Sequence, residues 1–251
     1  MNIRTKLMPM LGLFFLIQSC DLVTNNKTIE LNEKGLTYLN NGELEKAKSC
    51  FREAIKNPKL REDDKKVIYR NAAIVYSSCQ MQDSAKIMFM NAYKSSPKNS
   101  YEYYINLGDV YIIEQKYKES YELFNKAYLL DSSKLEANNS LGLMLVGEYD
   151  MLHFMPEKAL KYNLKAVEIS GDRNTKFVLG KNYYYLKDYT KSKQIINELY
   201  QKFPNEVMYI ESLISIATET NNLAEKNELM NKLKTINPEL YNVYLNETIE
   251  E

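Results

Sequence analysis

Apolar residues in this chain recur three and four positions apart, in pairs of runs about a dozen residues long. Tyr104, Leu107, Gly108 and Tyr111 stand at i, i+3, i+4 and i+7, which places them on one face of a helix. After a short polar break, Tyr117, Ser120, Phe124 and Ala127 follow, again at helical steps. The two runs predict two helices joined by a tight turn. Each has a single apolar stripe that it cannot bury alone, so such pairs must stack on their neighbours.

The unit recurs. Small residues fall at Gly35, Ala73, Gly108, Gly142 and Gly180, and Ile214 takes the same register, with steps of 38, 35, 34, 38 and 34 residues. A period in this range predicts stacked helix pairs rather than a globular enzyme domain. The composition agrees with it: 45% of residues are apolar and 26% charged, with only 8 Gly and 6 Pro, as in a folded, helix-rich chain.

Within the period the sequence resembles the tetratricopeptide repeat (TPR), which has Leu at position 7, a small residue at 8, Tyr at 11, Ala at 20, an aromatic residue at 24 and Pro near its end. The second repeat carries Tyr69, Ala72, Ala73, Tyr76, Ala85, Phe89, Ala92 and Pro97, and the third is the Tyr104–Ala127 run above. The first reads Leu31, Gly35, Tyr38, Ala47, Phe51 and Ala54. The fourth reads Leu141, Gly142 and Leu145, resuming at Ala159 and Ala166. The fifth reads Leu179, Gly180, Tyr183, Ser192, Ile196, Leu199 and Pro204. A degenerate sixth reads Ile210, Leu213, Ile214, Ala217, Met230, Leu233 and Pro238. The resemblance implies an all-α solenoid, a right-handed superhelix of about six helix pairs near 28–61, 66–99, 101–134, 135–172, 173–206 and 207–240. A capping helix and an acidic tail over 241–251 would close it. Small residues at 8 and 20 let the helices of a pair approach, and the aromatic residues, including much of the Tyr, fill the space between units.

The resemblance also implies a concave groove lined by first-helix positions. Here these include Arg70, Ile74, Ile105, Asp109, Ile112, Asn139, Leu143, Phe177, Lys181 and Tyr184. This mixture of apolar side chains and isolated charges suits an extended segment or a partner helix. The alternative is that several of them pack within the solenoid. The carboxylate clamp of TPR co-chaperones is not reproduced: its best frame is Arg70, Ile74, Asn106, Glu136 and Ser140, with Ile and Glu at two of the polar or basic positions.

The fourth repeat is stretched. Gly142 to Ala159 spans 17 residues where 12 are expected, and the extra segment Gly147–Pro156 holds Tyr149, Met151, Leu152, His153, Phe154 and Met155. The simpler reading is a long turn whose Met and Phe side chains fold back on the core. The other is an apolar docking loop that includes Tyr149, Leu152, His153 and Phe154.

The N-terminus adds an address. Arg4 and Lys6 precede Leu7–Ile17, an apolar run of 11 residues, too short to span a bilayer but suited to a signal peptide. Leu16-Ile17-Gln18-Ser19-Cys20 resembles the lipobox of bacterial lipoproteins, Gln18 being a departure. That resemblance implies a signal peptide over 1–19, a lipidated Cys20 as mature N-terminus and a short linker over 20–27. The alternatives are an ordinary cleaved signal or a buried N-terminal helix. Several acyl chains would anchor the chain stably.

Charge and rare residues exclude more than they suggest. With 33 Lys+Arg against 33 Asp+Glu, nothing points to nucleic acid. A single His and three scattered Cys do not form a metal site, a His-relay hydrolase or a disulfide framework, so no cofactor and no enzyme activity is expected. Cys50 and Cys79 read as separate thiols rather than as a pair brought together on adjacent helices. The expectation is a lipid-anchored scaffold of the bacterial envelope, at the outer membrane, that binds a protein or peptide partner. Its layout resembles TPR lipoproteins that assist barrel assembly or type IV pilus secretin assembly. The alternative is a sensor that holds a peptide or glycan in the groove.

Overall fold

The computed structural model describes residues 26–247; Cys20 and the segment before it, together with the last residues of the acidic tail, lie outside them. Among the described residues the secondary structure is entirely helical, in six pairs followed by a thirteenth helix. The pairs are α1 (26–40) with α2 (Leu44–Ile55), α3 (Glu62–Ser78) with α4 (Gln82–Lys94), and α5 (Tyr101–Ile113) with α6 (Tyr117–Leu130). Then follow α7 (Leu135–Leu145) with α8 (Pro156–Ile169), α9 (Arg173–Tyr185) with α10 (Tyr189–Lys202), α11 (Val207–Glu219) with α12 (Leu223–Ile236), and α13 (Pro238–Glu247). The chain divides into two compact units, one ending at Leu130 and the other beginning at Asp131.

Close approach within a pair comes from the small residue on its first helix. A Cβ at Gly35 would stand 2.6 Å from the Phe51 ring, and one at Gly180 would stand 2.6 Å from Ile196. Gly108 meets Phe124 in the same way. Phe51, Phe124 and Ile196 are all fully buried. Where the second helix carries Ser instead of Ala, the hydroxyl is satisfied across the pair. Ser120 Oγ donates to the Gly108 carbonyl at 2.9 Å, and Ser192 Oγ to the Gly180 carbonyl at 2.8 Å. The hydrogen bond offsets the desolvation cost of burying each hydroxyl.

The tyrosines depart from expectation. Phe51, Phe89 and Phe124 are buried, but Tyr38, Tyr69, Tyr76, Tyr104, Tyr111 and Tyr183, in repeat register, are only half-buried. Tyr38, Tyr76 and Tyr111 pack against buried clusters without being enclosed by them. Tyr101, Tyr162 and Tyr209, by contrast, are buried. Tyr209 is 1% exposed, lies in a core cluster of the second unit with Ile210, Leu213 and Leu233, and its hydroxyl accepts from Arg173 Nε at 3.2 Å. Leu240, Tyr241 and Tyr244 of α13 close that core.

The stretched first step is explained by α3, which has 17 residues where α5, α9 and α11 have 13. Its extra turn is acidic, Glu62, Asp63 and Asp64, a favourable charge at a helix N-terminus.

Every first helix ends the same way. Gly42, Gln80, Gln115, Gly147, Lys187 and Asn221 take positive φ, between 53° and 80°. The next N–H reaches back to the first helix's last turn, as Met81 to Tyr76 at 2.9 Å and Lys116 to Tyr111 at 2.9 Å. This is the Schellman ending, for which Gly is the unstrained residue. Only two of the six turns have it. Replacing Gln115 or Lys187 by Gly should therefore raise stability by about 0.5–1 kcal/mol each. Urea titration checks this, and a loss at both sites would contradict the assigned backbone.

Ion pairs give a pH dependence of definite sign. Lys116 and Lys86 hold the Glu114 carboxyl below its ordinary value of 4.5. Lys176 and Lys202 do the same for Glu198, and Lys191, by side chain and then by backbone, holds Asp188 below 3.8. Depressed folded-state values contribute stability that is present above the unfolded pKa and lost as pH falls through the folded one. The melting temperature should hold from neutral pH to about 4.5 and fall below it. A melting temperature that rises on acidification below this point would contradict the pairing.

Candidate docking site

In the first unit, the expected groove residues form a closed polar contact. Arg70 pairs with Asp109, its Nη1 also lies 3.3 Å from Asn106 Oδ1, and its guanidinium stands 5.9 Å from the Phe89 ring centre. Ile74 packs with Phe89 and Val110, and Ile112 is half-buried. Ile105 is not on a groove: it is 1% exposed, because Tyr101, Ile105 and Gly108 stand at i, i+4 and i+7 on the core stripe of α5.

In the second unit Phe177, Lys181 and Tyr184 line a cavity, and Asn139 and Leu143 do not. Asn139 and Leu143 of α7 are half-buried. Phe177, Lys181 and Tyr184, one helical face of α9, line a cavity of about 300 Å³ with Tyr185, Met208, Glu211, Ser212, Ser215 and Ile216. Ser192 and Ile196 of α10 complete the lining. This volume lies at the lower end of the range for ligand pockets and accommodates one or two large side chains. The wall on α11 was not anticipated, although its signal was present. Glu211 and Ser215 stand to Ile214 as Phe177 and Lys181 stand to Gly180, and the degeneracy of the sixth repeat hid the correspondence.

The aromatic residues are coupled: Tyr184 lies edge-on to Tyr185 at 5.6 Å and tilted to Tyr189 at 5.7 Å. Burial, and then the charge of Glu219, push the Tyr184 hydroxyl pKa up, so it remains a neutral donor at physiological pH. Glu219 accepts from Tyr189 Oη at 3.0 Å and Glu211 from Tyr244 Oη at 3.3 Å.

The insertion borders this cavity. Glu148 pairs with Lys181, and Phe154 packs edge-on against Tyr185 at 5.2 Å. The loop is internally braced. Asp150 Oδ1 accepts from the His153 backbone N–H at 3.0 Å and faces His153 Nδ1 at 3.0 Å, and the Met155 N–H donates to the Leu145 carbonyl at 2.9 Å. Tyr149, His153 and Phe154 are half-buried, whereas Met151 and Leu152 at the tip are 71% and 89% exposed. The loop thus folds back through Phe154 while its tip does not. Cys50 is buried, Cys79 half-buried, and both are free thiols.

No helix among the described residues is long and apolar enough to cross a membrane. Residues 31–58 and 101–134 match the family model for the tetratricopeptide repeat. The TPR repeat-containing protein MJ1428 of Methanocaldococcus jannaschii is 25% identical over 201 residues, 78% of this chain and 34% of its own length. The chain thus spans about a third of the curated relative it matches. Among solved structures, it is similar to YrrB, described as a TPR protein with an unusual peptide-binding site. The TM-score is 0.53 at 22% identity over 78% of this chain and 97% of that one. It is also similar to PilW, described as a widely conserved type IV pilus biogenesis factor, with TM-score 0.54 at 17% identity over 68% and 77% of the two chains. The helix pairs, their glycine-on-ring contacts and these likenesses together establish that the chain has the fold of a TPR solenoid.

Proposed function

We propose that this chain is a non-enzymatic TPR scaffold that docks a segment of a protein partner on the α9–α11 face. In this reading it is held at the bacterial cell envelope by lipid on Cys20 and assists assembly of a membrane complex. The observation that carries the docking reading is the cavity between Phe177, Tyr184 and Met208, which pairs apolar walls with fixed polar groups. The likeness to YrrB and PilW supports it at the level of fold. The address rests on the lipobox-like Leu16–Cys20 segment after an apolar run of signal-peptide length. A second reading, a sensor for a glycan, has in its favour the exposed Tyr185 beside Phe177 and Tyr184.

The experiment is capture of partners from detergent-solubilised envelopes with the full chain and with Tyr184→Ala combined with Met208→Ala. The double variant should retain its helical melting transition and lose roughly tenfold or more of the captured partner, the scale of losing two interface anchors. Undiminished capture by the folded variant would overturn the docking site. For the address, Cys20→Ala should move the chain from the membrane to the soluble fraction and abolish palmitate labelling. A wild-type chain found soluble and unlabelled would overturn the anchor.

A further inference from the structure

We infer that the α9–α11 site selects a segment in which an apolar side chain stands close in sequence to a lysine or arginine. This rests on the docking reading above and adds the chemistry of the partner.

The charges around the cavity are unequal in a way that counting residues does not reveal. Its one cationic lining residue, Lys181, is already paired with Glu148. The carboxylates are not neutralised. Glu211, in the lining, and Glu219, at the end of the same helix, each accept a tyrosine hydroxyl, from Tyr244 and Tyr189. Among the described residues neither forms an ion pair. On α9 and α10, Lys176 is paired with Glu198, Lys193 with Glu225 and Arg173 with Glu206. The charge of Glu219 reaches the cavity wall, since it helps to raise the Tyr184 pKa. The site therefore presents an apolar recess of about 300 Å³ flanked by two formal negative charges that hydroxyl donors fix in place. Fixed carboxylates beside an apolar recess favour a cation presented next to an apolar anchor, and they repel acidic segments. A tyrosine ring is negative over its face, so Tyr184 and Tyr185 in the lining add to the attraction for a cation seated over them.

The test is selection of a phage-displayed library of random dodecapeptides on the full chain, followed by affinity measurement on the recovered sequences as synthetic peptides. Recovered sequences should pair Leu, Met or Phe with Lys or Arg within three residues. Glu211→Gln and Glu219→Gln keep an acceptor for each tyrosine while removing the charge. Each should weaken binding roughly threefold to fivefold, and together roughly tenfold. Acidic or neutral consensus sequences, no enrichment, or basic peptides indifferent to the double Gln variant would overturn the inference. The two readings separate in partner capture. Capture that needs Tyr184 and Met208 but ignores the double Gln variant keeps the docking site and overturns its charge preference. Capture that ignores both overturns the two together.

Discussion

Phe124→Ala is expected to cost about 3–5 kcal/mol and Gly108→Ala about 1–3 kcal/mol, but the two together should cost little more than Phe124→Ala alone. The ring of Phe124 is 1% exposed and lies where a Cβ on Gly108 would stand, so the small residue and the large one are one packing unit. Removing the ring leaves a cavity against α5. Adding the methyl without removing the ring drives the ring into neighbours that are already close-packed. In the double variant the methyl enters space that the ring has left, and the steric cost disappears. A double-mutant cycle by urea titration measures this coupling. Costs that simply add would show that the pair is not held together by this contact.

Asn182→Ala should cost about 3 kcal/mol, a large effect for one polar side chain. Asn182 is fully buried, donates from Nδ2 to the Pro156 carbonyl at 2.8 Å, and accepts from Asn163 Nδ2 at 3.1 Å. Truncation strands the Asn163 amide inside the second unit. Asn163 itself occupies, against Gly142, the place that Phe124 and Ile196 occupy against Gly108 and Gly180. Adding Asn163→Leu to the truncated chain removes the stranded amide and should restore about half of the loss. Chemical denaturation of the single and double variants checks it; a double variant less stable than Asn182→Ala would contradict the network. The consequence extends to the candidate site, because Pro156 ends the insertion that carries Glu148 and Phe154 against the cavity wall. Loss of Asn182 should therefore weaken docking even in chains that remain folded.

The helix pairs were legible because stacking imposes a residue type at each repeat: Gly35, Gly108 and Gly180 mark the close approach, and Phe51, Phe89 and Phe124 mark the buried ring. The pair-closing turns were not legible, because Gln80, Gln115 and Lys187 adopt a glycine-like conformation with no compositional sign of it. The tertiary contacts on either side fix a backbone that local propensity disfavours. Repeat position alone puts Ile105 on the groove, because it cannot resolve a residue at the edge of an apolar stripe. Arg70 and Asp109 were visible as groove charges, but their mutual pairing was not, since they lie 39 residues apart on different helices. The same reason hid Lys181 with Glu148, 33 residues apart. Charges count for recognition only after such pairs are removed, so the carboxylates of Glu211 and Glu219 become informative in the structure alone.

Site-specific photocrosslinking in intact cells reads directly whether the face between α9 and α11 receives the partner. Met208, in the cavity lining, and Leu164, on α8, have nearly equal exposure at 42% and 45%, so a photoreactive phenylalanine at either position is comparably accessible. Position 208 should yield a discrete crosslinked partner, abolished by Tyr184→Ala, and position 164 none. The same adduct from both positions, or an adduct from 164 alone, would contradict docking on that face.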